Sequence, residues 1–416
     1  MPTRELSCTE AARQCAKCGA CSAVCPVYRI SGREALSGRG KLHLLDRLPG
    51  PSGGPGLAAI LSQCLLCGAC QATCPRGLPI PALVQAARAQ LREKAGRWWP
   101  ARLAREILAR PSLLAAAGGA ATGLAALVDQ LPADSGLRLR LAGFLRPATC
   151  RAAPVPEIEP VPRSRTGPAP YALFLGCYAR HLDPELAGAS RHLLLALAGG
   201  PPAVPADQGC CGLAAAASGD LPQARQLARR NIAAFLADES AIVVPCASCL
   251  AGLADYPGLF AEDDPWRPQA AAFAGRLVGL TELLADSLPV LVDRAAPADQ
   301  EPVRVVLHDP CHSRFPVDRT AAPRAVLARL PGVTRRELPA GDRCCGHGGL
   351  FSLTQPRLSQ AILARRLESL APLAGQVLAT TCSGCLMQWR QGIHDARLSL
   401  EVLHPAVLLA RRLGLA

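Results

Sequence analysis

The sequence predicts an α+β chain of several domains: a helical N-terminal domain, a helical connector, and two repeated α/β domains with parallel sheets. Three observations predict it. Eight cysteines form two similar runs within the first 95 residues. A proline-rich stretch, RPATCRAAPVPEIEPVPRSRTGPAP (146–170), separates front from back. Behind it, one pattern of apolar runs and cysteines occurs twice, and an internal repeat decides an architecture.

With 416 residues, half of them hydrophobic, the chain has room for two to four domains, each with its own core. Its 20 cysteines are the outstanding feature. The opening MPTRELSCTE lacks the apolar stretch of a secretory signal. The expectation is therefore a cytoplasmic location, where clustered cysteines point to metal or redox chemistry rather than disulfides. Cys8 and Cys150 belong to no cluster and read as incidental. The net charge of +13 is nearly all arginine, with lysine only at Lys17, Lys41 and Lys94. A nucleic-acid surface would interleave basic and aromatic residues, and aromatics make up only 4 %. The basic excess reads as compositional bias and docking to acidic partners, with no nucleic-acid partner. The uncharged segment SLLAAAGGAATGLAALV (112–128) has 17 residues, short of the roughly 20 strongly apolar ones a membrane span needs. It reads as a buried or subunit-facing helix.

The first run, CAKCGACSAVCP, gives Cys15, Cys18, Cys21 and Cys25; the second, CLLCGACQATCP, gives Cys64, Cys67, Cys70 and Cys74. Both have the spacing C-x2-C-x2-C-x3-C-P of paired [4Fe–4S] cubanes. Soft thiolates suit iron–sulfur clusters, and small residues such as Gly19, Ala20, Gly68 and Ala69 let backbone approach the cluster sulfides. In two-cluster ferredoxins the fourth cysteine of each run serves the other cluster. That predicts one cubane on Cys15, Cys18, Cys21 and Cys74 and another on Cys64, Cys67, Cys70 and Cys25. Tetrahedral zinc also uses C-x2-C pairs, but four cysteines in one tight run followed by proline fit it poorly. The 38 residues between the runs make this region similar to the helical ferredoxin domains of succinate dehydrogenase and fumarate reductase iron–sulfur subunits.

Beyond about residue 80 the pattern turns helical, as in IPALVQAARAQLREKAGRWW and ARLAREILAR. The proline-rich stretch then reads as an extended linker. After it, YALFLGC (171–177) and RVVLHDPC (304–311) are short apolar runs ending in cysteine, as buried strands do. Each leads through a helical stretch to Cys-Cys-Gly, then another helical stretch. A second apolar run follows in each repeat, AIVVPCASC (241–249) and QVLATTCSGC (376–385). Strands alternating with helices imply a parallel sheet, with the cysteines at strand C-termini, where open α/β sheets place ligands. The predicted division is 1–95, a helical two-cluster ferredoxin domain; 96–167, helical connector and linker; 168–297 and 298–416, the two repeats.

The repeats carry Cys177, Cys210, Cys211, Cys246 and Cys249, and Cys311, Cys344, Cys345, Cys382 and Cys385. Their spacings agree: 32, 34 and two intervening residues against 32, 36 and two. Neighbouring Cα atoms, about 3.8 Å apart, are too close for an ordinary disulfide, which prefers roughly 4.4–6.8 Å. Adjacent thiols aimed at one metal centre are the better reading, and Gly346, Gly348 and Gly349 are expected to let backbone pass close to a cluster. His308 and His312 flank Cys311, and His347 follows the second Cys-Cys-Gly. They are candidates either for hydrogen bonds around a cluster or for caps and turns. Asp309 and Pro310 are expected to shape the strand-end turn.

This five-cysteine pattern resembles the cysteine-rich CCG domain of heterodisulfide reductases and of hydroxy-acid dehydrogenase iron–sulfur subunits. The order of two cubane runs, connector and two CCG domains is similar to that of the glycolate oxidase iron–sulfur subunit family. SGRGKLHLL, GCCG, HDPCH, CCGHGGLFSL and CSGCLMQ carry that likeness locally. Lactate dehydrogenase partners and an anaerobic glycerol-3-phosphate dehydrogenase subunit share the layout. The resemblance implies two cubane clusters and one or two further non-cubane [4Fe–4S] clusters in the CCG domains. It implies an electron-transfer subunit of a 2-hydroxy-acid dehydrogenase, glycolate being the leading substrate, with the organic site on an FAD-binding partner. A quinone acceptor, directly or through a membrane partner, and a peripheral position on the inner membrane face follow from the same resemblance. Neither GAATG nor GHGG gives G-x-G-x-x-G after a strand, so no nicotinamide site and no catalytic residue is assigned. The competing reading is a thiol–disulfide enzyme whose CCG cluster itself reduces a disulfide or heterodisulfide. A zinc-held scaffold is a third reading.

Overall fold

The computed structural model describes residues 8–48, 54–92, 110, 127, 130, 170–236, 239–294, 301–315, 317–339, 344–373 and 375–415. The proposed connector and linker, the uncharged segment 112–128 (apart from Leu127), Cys150 and the boundary between the repeats lie outside the described residues, as does the Cys8 side chain.

Short helices build the N-terminal region: Cys8–Arg13, Ala20–Val24, Pro26–Ser31, Gly38–Arg47, Gly54–Ser62, Ala69–Ala72 and Ile80–Arg92. Local chemistry sets their ends. Pro26 stands at the first helical position after Cys25, and Gly32 closes that helix in the left-handed conformation at φ 65°. Ser37 caps the helix Gly38–Arg47 by accepting from the Gly40 N–H at 3.0 Å. In Ile80–Arg92 the buried residues Ile80, Leu83, Val84, Ala87 and Leu91 recur at helical spacing. They pack with Leu42, Leu45, Leu57 and Leu61 in one core.

Two parallel sheets follow. The first is β1 (Tyr171–Leu173), β2 (Ala241–Val244) and β3 (Leu277–Gly279), in that order. The second contains β4 (Val303–Leu307), β5 (Val333–Glu337), β6 (Val377–Ala379) and β7 (Glu401–Leu403), ordered β5-β4-β6-β7. Continuous apolar runs such as Ile242–Val243–Val244 and Val305–Val306–Leu307 are buried, as parallel strands covered by helices on both faces must be. The two sheets differ by β5, yet the first repeat keeps its trace. Ala203 forms a single parallel bridge to Ala172 on the outer side of β1, with Ala203 N–H donating to Tyr171 O at 2.8 Å. The repeat seen in the sequence is thus a repeat of topology. β4 and β1 are the strands where the order reverses, and each runs into the first cysteine of its set.

The repeats share one hydrophobic core that runs from Ala172 to Leu413. Polar links cross it. Arg390 donates to Asp183 Oδ2 at 2.9 Å and to Tyr178 Oη at 2.6 Å. Arg411 pairs with Glu185 at 2.6 Å. His404 Nε2 lies 2.8 Å from Pro245 O. Among the described residues, no helix is long and apolar enough to cross a membrane.

Candidate iron–sulfur centres

The two N-terminal runs fold alike. Lys17 (φ 55°) and Leu66 (φ 54°), each just before the second cysteine of its run, sit in the left-handed region that non-glycine residues avoid. The glycine after that cysteine is left-handed too, Gly19 at φ 84° and Gly68 at φ 83°. Each turns the chain into a short helix carrying the third cysteine. Such matched strain is kept where loop shape matters; here it curls the backbone around the thiols. Gly38 separates the two runs. A Cβ there would lie 3.2 Å from both Cys21 Sγ and Cys70 Cβ.

The structure brings Cys15, Cys18, Cys21 and Cys74 together around one cavity, with Gly19 and Arg39 on its wall. The Arg39 backbone N–H donates to Cys21 Sγ at 3.2 Å. Cys25 turns away from its own run. It packs with Cys67 beside Val27, Leu36 and Leu65, and its thiol contacts Leu36 O at 3.7 Å. Lys41, 2 % exposed, donates its ammonium to the same Leu36 carbonyl. Its charge favours ionisation of Cys25 and Cys70. Loss of solvation outweighs it, and with the neighbouring thiols pushes Cys70 up to about 12. Arg88 ties this region together, donating to the carbonyls of Leu61, Cys64 and Ala217 at 2.5–3.1 Å.

In the repeats the first cysteine and the C-x2-C pair of each set sit where a strand passes into a helix, and the Cys-Cys pair lies in a loop. Cys177 and Cys311 open the helical turns after β1 and β4; Cys246 and Cys382 cap the helices after β2 and β6. The ten thiols form one unbroken row of contacts. It runs Cys177, Cys210, Cys211, Cys249, Cys246 in the first set, and Cys382, Cys385, Cys345, Cys344, Cys311 in the second. The sets meet where Cys246 contacts Cys382. The Cys345 and Cys385 sulfurs are 3.3 Å apart, well beyond a disulfide bond. Backbone donors point at the row, from Gly346 to Cys344 at 3.4 Å and from Ser383 to Cys246 at 3.3 Å. At its far end Cys311 adjoins the N-terminal region, and its charge adds to the desolvation that holds the Cys67 thiol well above the ordinary range.

The histidines take different posts. His312 Nδ1 lies 3.6 Å from Cys311 Sγ. His347 covers Gly384, where a Cβ would come within 2.7 Å of its ring. His308 is fully buried, its nearest ring nitrogen and the sulfurs of Cys345 and Cys385 all within 4.8 Å of one another. Asp309 holds the strand-end turn as expected, accepting from Arg324 at 2.9 and 2.8 Å and from Arg314 at 2.9 Å. Gly346 and Gly348 let protein atoms come close to the backbone. A Cβ on Gly346 would strike Ser359 O at 2.8 Å, and one on Gly348 would strike Leu65 at 2.5 Å. They permit close approach of protein atoms, Leu65 of the N-terminal region among them.

The donor set fits iron–sulfur clusters. Many thiols packed together cannot all ionise without a cation, because like charges raise each other's pKa. Soft thiolates with backbone N–H groups aimed at their sulfurs are the surroundings such clusters take. In a cubane each thiolate binds its own iron, so the ligand sulfurs stand farther apart than those around a single ion.

Fold and site together define an iron–sulfur protein with a dicluster domain and a doubled cysteine-rich domain. Residues 11–78 match the 4Fe-4S dicluster domain, and residues 171–254 and 305–390 each match the cysteine-rich domain CCG. The chain is 33 % identical over 239 residues to lactate utilization protein A of an Exiguobacterium species, covering 57 % of this chain and 96 % of that protein. It is 32 % identical over 224 residues to a probable glycolate oxidase iron–sulfur subunit of Bacillus subtilis, 53 % of this chain and 50 % of that one. Against lactate utilization protein A of Bacillus thuringiensis the identity is 30 % over 208 residues, 50 % of this chain and 85 % of that protein. The chain belongs to the family of iron–sulfur proteins that includes lactate utilization protein A and the glycolate oxidase iron–sulfur subunit.

Proposed function

We propose that this chain is the electron-transfer subunit of a flavin-dependent 2-hydroxy-acid dehydrogenase complex, with glycolate oxidised to glyoxylate on a partner FAD-binding subunit. The supporting observation is contiguity. The second cysteine run reaches the second five-cysteine set at Cys67 and Cys311, and that set reaches the first at Cys382 and Cys246. Bound clusters supply one-electron transfer, which splits the two-electron output of a reduced flavin into single steps.

The residues divide the work. Cys15, Cys18, Cys21 and Cys74 hold one cubane; Cys64, Cys67, Cys70 and Cys25 hold the other. Cys177, Cys210, Cys211, Cys246 and Cys249 form the first CCG site, and Cys311, Cys344, Cys345, Cys382 and Cys385 the second, each for a non-cubane cluster. N–H groups of Arg39, Gly346 and Ser383 donate to thiolate sulfur and so favour the reduced state. Lys41 adds positive charge beside Cys25. Electrons leave toward a quinone at the inner face of the cytoplasmic membrane, through a membrane-associated partner. The domain limits proposed for these tasks are 1–95, 168–297 and 298–416.

D-lactate is the second substrate reading; the names of two of the relatives support lactate without specifying its handedness. A different class of reaction is supported by the meeting of the two CCG sets. The Cys246–Cys382 junction brings ten thiols into one row, an arrangement that also suits reduction of a disulfide. Anaerobic mixing with the flavoprotein partner separates these readings. Glycolate or D-lactate bleaches the cluster absorbance only when the flavoprotein is present. Reduction of a heterodisulfide by the isolated chain, without substrate-dependent bleaching, overturns the proposal.

A further inference from the structure

The two five-cysteine sets are alike in every cysteine, and one of the buried positions at which they differ stands beside the thiols. Three residues before the first cysteine stands Phe174 in one repeat and His308 in the other. The two are structural equivalents. Phe174 N–H donates to Val243 O at 2.9 Å, and His308 N–H donates to Ala379 O at 3.0 Å, each reaching the neighbouring strand of its sheet. Both side chains are fully buried. A phenyl ring needs nothing there, whereas an imidazole taken out of water costs free energy unless its nitrogens are satisfied. Neither ring nitrogen of His308 has a nitrogen or oxygen partner, and the polar group it interacts with is the Cys345 thiol. Trp389 packs edge-on against the ring, centroids 5.4 Å apart and planes at 69°. The ring lies beside Cys345 and Cys385, within the 4.8 Å spread noted above. A buried imidazole whose only polar neighbours are thiols has the makings of a metal donor, and imidazole suits iron as thiolate does.

We propose that His308 is a nitrogen ligand of the centre held by Cys311, Cys344, Cys345, Cys382 and Cys385. The second CCG site is then a mixed nitrogen–sulfur site, and the first, with Phe174, an all-sulfur one. The inference rests on the reading that the second set holds an iron–sulfur cluster. Its consequence is electronic asymmetry. The imidazole would be a neutral donor added to five thiolates in one set and absent from the other, so the two sites differ in coordination and therefore in potential.

The test uses the full chain, isolated anaerobically with its clusters, after growth on 15N-histidine or on unlabelled histidine. Hyperfine spectroscopy is recorded on the paramagnetic state that Cys345→Ala removes. The expected result is an imidazole nitrogen coupling that changes with the isotope, is lost in His308→Phe and His308→Gln, and persists in His312→Gln and His347→Gln. A signal with no histidine coupling in the unaltered protein overturns the proposal even if the variants fail to fold. A coupling that survives in His308→Phe does the same. Iron content tells apart the two ways of failing. If Cys345→Ala loses no iron, the second set holds no cluster and the reading underneath falls with this one; if it loses iron, only the ligand assignment fails.

Discussion

The backbone N–H of Ser383 donates to the sulfur of Cys246 at 3.3 Å, from one repeat to the other. Ser383 follows Cys382, which contacts Cys246 directly, and Ala247 N–H reaches Thr381 O at 2.8 Å beside it. The junction of the repeats is therefore the junction of the two thiol sets.

Ser383→Pro removes that hydrogen bond. Ser383 is the first residue of its helix, where proline is well tolerated. Cys382 before it is already extended, at φ −125° and ψ 126°, as a residue preceding proline should be. The substitution removes the backbone donor together with the Ser383 hydroxyl, which also interacts with Cys246. A hydrogen bond to sulfur stabilises the more negative, reduced state, so its loss lowers the potential of the first CCG site. A contribution of about 1 kcal/mol corresponds to roughly 40 mV for one electron, read by an EPR-monitored redox titration.

Lys41 predicts a second, separate shift. Its charge is buried beside Cys25 and Cys70 and away from the cavity of Cys15, Cys18, Cys21 and Cys74. Lys41→Met lowers the potential of the cubane on Cys25, Cys64, Cys67 and Cys70 by tens of millivolts, the one-electron equivalent of about 1 kcal/mol or more. The other cubane moves much less. The same titration resolves the two signals.

The repeats are held in register by a buried ion pair. Arg390 and Asp183 side chains are 8 % and 5 % exposed, and Asp183 also caps the helix Pro184–Ala198 by accepting from Leu186 N–H at 3.1 Å. Arg390→Ala leaves a buried carboxylate without its cation and costs about 3–5 kcal/mol. Arg13→Ala, which breaks an exposed pair with Asp46, costs about 0–1 kcal/mol. Chemical denaturation of both variants checks the contrast.

His404 sets a pH dependence. Burial, more than any other influence, holds its pKa down at about 4. It stays neutral, with one nitrogen near Pro245 O and the other accepting from Ala406 N–H at 3.0 Å. A depressed histidine means the unfolded chain binds the extra proton. Its contribution is complete above about pH 6.5 and is lost as pH falls toward about 4, by up to about 3 kcal/mol. His404→Gln flattens stability across that window, as denaturation at a series of pH values will show.

The sequence was most legible where spacing encodes geometry. The four-cysteine runs and the doubled five-cysteine pattern pointed to the parallel sheets and to thiols at strand ends, because covalent spacing alone limits where those groups can lie. Contacts between distant segments were not legible. Nothing in the sequence pairs Cys67 with Cys311 or Cys246 with Cys382, since those meetings depend on how the shared core packs. Arg88 and Lys41 look like surface charges on helical stretches until their burial is seen. The closeness of Gly38 to Cys21 and Cys70 comes from three chain segments meeting. The difference between His308 and Phe174 was visible in the alignment of the repeats, and only the fold shows that the two occupy the same post.

The most direct test of the electron relay is an iron count of the anaerobically purified chain alongside Cys211→Ala and Cys345→Ala, with EPR on each. Two cubanes alone account for about eight irons. The relay through the CCG sites predicts more than that in the unaltered chain, and a loss of iron in each variant with the cubane signals retained. Unchanged iron in both variants would contradict it, leaving the ten thiols of the repeats outside the electron path.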